Sequence, residues 1–134
     1  MSGWQAYIDA LMENDDGIKK AAIVGADDGG IWAKNEGATT FSATPEELRA
    51  FVGLYSPESL KKLPEIGFRL ENQKYIVPRT DENLIFGKQG KYGIFAVKTC
   101  RAVVIAQYEG ETEKAQACRS AVEKIGAHLV QAGY

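Results

Sequence analysis

Between Ile66 and Tyr108 the chain carries five short apolar runs separated by turn residues. Ile66, Phe68 and Leu70 alternate with Gly67 and Arg69. Lys74–Val77, Leu84–Phe86, Tyr92–Val97 and Ala102–Ala106 follow. β-Branched and aromatic residues dominate, the runs are strand length, and the gaps are hairpin length. Such gaps are too short for a crossover helix, so the pairing is expected to be antiparallel and sequential. The last run is apolar at every position, which predicts a central strand covered on both faces. A sheet of this kind needs helices to bury it.

The flanking sequence supplies them. Ser2 and Gln5 fit a capping box ahead of a stripe of Trp4, Tyr7, Ile8, Leu11 and Met12. Asn14–Gly17 is expected to end that helix. Ala21–Val24 and Ile31–Lys34 read as two strands joined by the Asp27-Asp28-Gly29-Gly30 turn. Thr44, Pro45 and Glu47 open a second helix whose stripe is Leu48, Phe51, Val52 and Tyr55, and Ser56-Pro57 is expected to stop it. Residues 57–65 read as a connector. The last helix begins after Glu109–Glu113, where acids suit the helix dipole. It buries Ala115, Cys118, Val122, Ile125 and Leu129 and runs to about Val130. The expected fold class is α+β: about seven antiparallel strands, the first and last helices on one face and a further helix on the other. Residues 1–134 are expected to form a single domain.

Charge narrows the partners. Residues 66–108 carry seven Lys/Arg and three acids, whereas the remainder carries nine bases and fifteen acids. A net charge of −2 argues against general nucleic-acid affinity. From charge alone, solvated strand edges are the ordinary reading of the basic sheet, and a surface for an acidic partner is the sharper one. No secretory signal or membrane-span run is read, so the cytosol is expected, with Cys100 and Cys118 as reduced core thiols.

Catalytic chemistry is not legible. The one histidine, His128, has no metal-ligand spacing to either cysteine, and Cys118 falls on an apolar stripe, which predicts an inert thiol. Gly87, Gly90 and Gly93 lack the phosphate-loop lysine and are turn glycines. Asp27-Asp28 and Asp15-Asp16 are turn residues. Neither catalysis nor a cofactor is expected.

The aromatic residues stand out instead. Trp4 and Tyr7 open the first helix, and His128 and Tyr134 close the last. If those helices pack antiparallel on one face, their ends meet, and Trp32 from a strand beneath joins them. The result is an apolar groove edged with indole, phenol and imidazole groups. Such a groove suits a polyproline II segment, whose rings stack on aromatic planes and whose carbonyls are unpaired acceptors.

Trp4-Gln-Ala-Tyr-Ile-Asp9, Ala21-Ala-Ile-Val-Gly25, Ile31-Trp-Ala33 and the ending His128-Leu…Gly-Tyr134 together resemble profilin, in the shorter form seen outside vertebrates. Tyr75-Ile-Val-Pro-Arg79 and Ile85-Phe-Gly-Lys88 are similar to the family's central strands. The resemblance implies a cytoskeletal protein that binds monomeric actin and proline-rich proteins such as formins. Such proteins regulate polymerisation and deliver actin to elongating filament ends. It also implies phosphoinositide binding, through Lys88 and Lys91. The implied polyproline site is Trp4, Tyr7, Trp32, His128 and Tyr134. The implied actin site is Lys74, Val77, Arg79 and Lys88 from the sheet, with Lys114, Arg119, Glu123 and Lys124 from the last helix. The chain is expected to act as a monomer. Ala10 stands where the family often has Asn, and Pro78 and Gln89 depart from other members. Actin is acidic, so the resemblance moves the basic sheet to the sharper reading. The alternatives weighed are a PAS-like small-molecule sensor, which needs an internal cavity, and a small hydrolase, which needs the missing catalytic set.

Overall fold

The computed structural model describes residues 3–13, 18–35, 41–80, 83–110 and 112–134, and for residues 13, 79 and 112 the backbone alone. The Ser2 cap and the Asn14–Gly17 stop lie outside the described residues. Seven strands, β1 (Ile18–Gly25), β2 (Ile31–Lys34), β3 (Phe68–Leu70), β4 (Gln73–Thr80), β5 (Leu84–Gln89), β6 (Tyr92–Lys98) and β7 (Ala102–Glu109), form one antiparallel sheet in the order β2-β1-β7-β6-β5-β4-β3. As expected, β7 is central, between β1 and β6, and residues 102–108 are all buried.

Two helices cover each face. α1 (Gly3–Glu13) and α4 (Thr112–Gln131) bury Ile8, Leu11, Cys118, Val122 and Leu129 against Ile23, Phe95, Val104 and Ala106. α2 (Pro45–Val52) and α3 (Pro57–Ile66), joined by a single 3-10 turn at Gly53–Tyr55, cover Val24, Tyr75, Val77, Ile85 and Ile105 on the opposite face. α4 lies close to β6 because Gly126 has no side chain. A Cβ there would stand 2.9 Å from Val97 Cγ1.

α3 is a correction, because residues 57–65 form a full helix and not a connector. Ser56 ends the preceding turn and caps the next helix, its Oγ accepting the Ser59 N–H at 3.3 Å, with Pro57 at the first helical position. Pro64 falls in the last turn, and Gly67, at φ 69°, closes the helix. Ile66 therefore ends a helix, 53% exposed, and does not begin a strand.

The start of α2 is the capping box expected from Thr44 and Glu47. Glu47 also reaches a neighbouring hairpin. Oε1 accepts from Thr44 N and Glu71 N, both at 2.9 Å, and Oε2 accepts from Asn72 N at 2.7 Å. Glu71 and Asn72, at φ 54° and 61°, are the two residues that turn β3 into β4. Positive φ at both positions is what a type I′ hairpin turn demands, and neither residue is glycine. The Glu71 carboxylate is itself held, by Lys20 Nζ at 2.8 Å and by Ser42 N and Oγ.

Candidate functional site

The first site is built from three elements. Trp4 and Tyr7 lie one turn apart on α1, half-buried, with ring centroids 5.9 Å apart. β2 carries a bulge: Ala33 faces Ile23 and Ile31 faces Val24, so Trp32 is one residue too many for the ladder. A bulge re-aims side chains, and here it leaves both Ala33 and Trp32 on the face that α1 covers. Ala33 joins the core beside Ile8, and the Trp32 ring sits 4.7 Å from that of Trp4. His128, exposed on α4, meets Tyr7 at 5.5 Å across the helix pair. Tyr134 meets Trp4 edge-on at 4.8 Å and Trp32 at 6.4 Å. The five rings expected from the sequence to converge are thus one continuous surface, with Trp32 and Tyr134 36% and 38% exposed.

Tyr134 is held by its backbone. Its N–H donates to Leu129 O at 2.8 Å and the Gly133 N–H donates to Val130 O at 3.1 Å, with Gly133 at φ 95°. This is the six-to-one and five-to-two pair of a Schellman cap. The Tyr134 carbonyl accepts from Thr99 Oγ1 at 2.7 Å and from the Arg101 N–H, both in the β6–β7 turn. Beyond the rings the surface opens into a pocket of ≈ 830 Å³, lined by Trp4, Trp32, Tyr134, Gly25, Asp27, Asp28 and Arg101. Apolar planes with N–H and O–H groups at their edges match an extended ligand whose carbonyls lack internal partners.

The second site lies on the same sheet face, beyond the flank of α4. There, among the described residues, α4 packs chiefly on β6 and β7 and leaves β4 open. Ile76 is 64% exposed and pairs with Lys88. Pro78, Phe86 and Phe95 form a groove of ≈ 580 Å³ with Arg119 and Glu123 of α4. Arg119 Nε donates to Glu123 Oε2 at 3.3 Å.

Comparison with known proteins decides between the readings. The profilin family model matches residues 2–134. The chain belongs to the profilin family. It is 48% identical to Profilin-1 of Caenorhabditis elegans over 134 residues, all of both chains. A Schizosaccharomyces pombe profilin crystal structure superposes with TM-score 0.83 at 30% identity, over 98% of this chain and 99% of that one. Mouse profilin IIa, solved in complex with a double repeat from the FH1 domain of mDia1, gives TM-score 0.76 over 98% and 99%. At 24% identity that likeness shows the fold. Profilins are actin-binding regulatory proteins, not enzymes.

Against this family frame, the residues expected to meet actin divide. Lys74 is exposed on β4, and Lys88, Arg119 and Glu123 border the open ledge. Val77 is a correction: it is 3% exposed and packs in the core under α2 and α3. A straight strand would put residues 77 and 79 on one face. The extra residue between Ile76 and Arg79, where Pro78 cannot donate to the ladder, ends that alternation. The apolar group on the ledge is Ile76, which sequence reasoning passed over as ordinary strand. Arg79 pairs with Phe86, and its side chain lies outside the described residues. Lys124 is exposed, about 140° around α4 from Arg119. Lys114, half-buried, lies by Gly110. These two do not share the Arg119 flank.

Lys88 Nζ donates to Gly90 O at 2.7 Å, and Lys91 pairs with Glu109 at 2.9 Å. Cys118 is fully buried, and burial pushes its thiol up to about 12. Cys100 is exposed in the β6–β7 turn, which corrects its expected place in the core. Among the described residues, no helix is long and apolar enough to cross a membrane.

Proposed function

We propose that this chain binds monomeric actin on the β4–β5 ledge and α4 flank, and proline-rich polyproline II segments, such as those of formins, in the ring groove. The carrying observation is the contiguity of Trp4, Tyr7, Trp32, His128 and Tyr134, drawn from both helix ends and a bulged strand. A core would bury these rings fully and pair their polar tips inside, whereas here they stay partly exposed. The complex of mouse profilin IIa supports the same ligand class for this chain.

No bond is made or broken. The groove holds a proline-rich segment while the ledge holds actin, which raises the concentration of actin near a filament end by tethering. Any faster nucleotide exchange on actin follows from binding its open cleft better than its closed one. The setting is the cytoplasm and the actin cytoskeleton. Phosphoinositide headgroups would meet Lys88 and Lys91, which must first leave Gly90 O and Glu109. Vesicle cosedimentation at physiological salt tests this, and no binding retires it.

The groove is tested by titrating decaproline against tryptophan fluorescence. Trp4→Ala should lose most of the affinity, and equal affinity would remove the assignment. The ledge is tested by Lys88→Glu with pyrene-actin. Monomer affinity should fall, and an unchanged value would exclude this surface.

A further inference from the structure

Tyr134 forms one wall of the groove, yet nothing on its own element holds its carbonyl end. That end is fixed by the β6–β7 turn. Thr99 is 6% exposed and is absent from the pocket lining. Its Oγ1 accepts the Ala102 N–H at 3.1 Å and has two acceptors for its single proton, Tyr134 O at 2.7 Å and Ala102 O at 3.2 Å, of which Tyr134 is the nearer. The Arg101 N–H reinforces the same carbonyl, while the Tyr134 N–H is tied to Leu129 O. Both sides of the Tyr134 backbone are therefore clamped, and the ring is presented to Trp4 and Trp32 before any ligand arrives.

We propose that Thr99 is a positioning residue for proline-rich ligands, acting through Tyr134 from outside the groove. This rests on the groove reading above. A preorganised wall leaves less freedom to lose on binding. Without the hydroxyl, Tyr134 keeps its bonds to Leu129 and Arg101 but is held less tightly, and affinity falls by the worth of the ordering that the ligand must then supply.

The test titrates decaproline into wild type, Thr99→Val, Thr99→Ser, Trp4→Ala and Gly133→Ala, with pyrene-actin binding in parallel. Thr99→Val keeps the shape and deletes the hydroxyl, and should bind decaproline about 3- to 10-fold more weakly, the range of one lost hydrogen bond. Thr99→Ser restores the hydroxyl and should bind close to wild type. Actin affinity should be unchanged in both. Gly133→Ala is the independent arm, and serves if Thr99→Val does not fold. A Cβ at Gly133 meets nothing within 4 Å, so only its φ of 95° is strained and the cap below Tyr134 loosens. Decaproline affinity should again fall.

Wild-type affinity in Thr99→Val or Gly133→Ala, with Trp4→Ala weakened, overturns the positioning role and leaves the groove standing. Equal loss in Thr99→Val and Thr99→Ser shows that restoring the hydroxyl does not restore binding, and also overturns it. Equal loss of actin binding makes the effect global and overturns it. Wild-type affinity in Trp4→Ala overturns the groove itself.

Discussion

Replacing Glu47 with Ala isolates the joint between α2 and the β3–β4 hairpin. Three backbone N–H groups lose their acceptor: Thr44, Glu71 and Asn72. The Glu71 amide is part-buried, so its loss costs about 1.5 kcal/mol, whereas the Thr44 and Asn72 amides turn to water at about 0.5 kcal/mol each, or about 2.5 kcal/mol together. For a chain of this size that lowers Tm by about 8–10 °C. The assay is thermal and urea unfolding of wild type, Glu47→Ala and Glu47→Gln, the last keeping one carbonyl acceptor and falling between. Acid supplies a second reading. Burial raises the Glu47 pKa, but the N–H groups of Thr44, Asn72 and Glu71 outweigh it and hold the carboxyl below its usual range. A depressed folded-state pKa stabilises fully above the unfolded value and loses that contribution as pH falls through the folded one. The gap between wild type and Glu47→Ala should therefore shrink below about pH 4.3. A loss under about 1 kcal/mol, or a gap that widens in acid, would refute the reasoning.

Ellman's reagent should label exposed Cys100 promptly and Cys118 only on unfolding, since burial keeps the Cys118 thiol protonated; two fast equivalents in native buffer would contradict this. Gly93→Ala places a Cβ 2.3 Å from the Tyr108 ring and should destabilise the sheet by about 2–3 kcal/mol in urea unfolding. An unchanged midpoint would mean that Tyr108 swings aside freely. Trp4→Ala and Lys88→Glu separate the two binding faces, each weakening one ligand while sparing the other.

Much of this architecture was legible because local signals agreed with the global fold. The apolar run at Ala102–Ala106 identified a central strand. Thr44 and Glu47 marked a helix start to the residue. Trp4, Tyr7, His128 and Tyr134 announced a meeting of helix ends. What stayed hidden depended on chain pairing. Ser56-Pro57 reads equally as a stop for one helix and a start for another. The bulges at Trp32 and beside Pro78 are properties of two strands in register, so no single strand's alternation reveals them. Val77 was placed outside by the resemblance alone, whereas it shares the buried face with Tyr75 and leaves Ile76 on the other. The hold of Thr99 on Tyr134 spans 35 positions of sequence, and no spacing rule reaches so far.

Gly126 allows α4 to lie flat along β6. The helix is 20 residues long, and Arg119 and His128 are fixed on it about 14 Å apart along its axis. A rod glued to a sheet behaves as a ruler. On the proposed reading, a ligand on the ledge and one in the groove would keep a fixed offset along α4. A side chain at Gly126 that pried the rod loose would misalign both ends together.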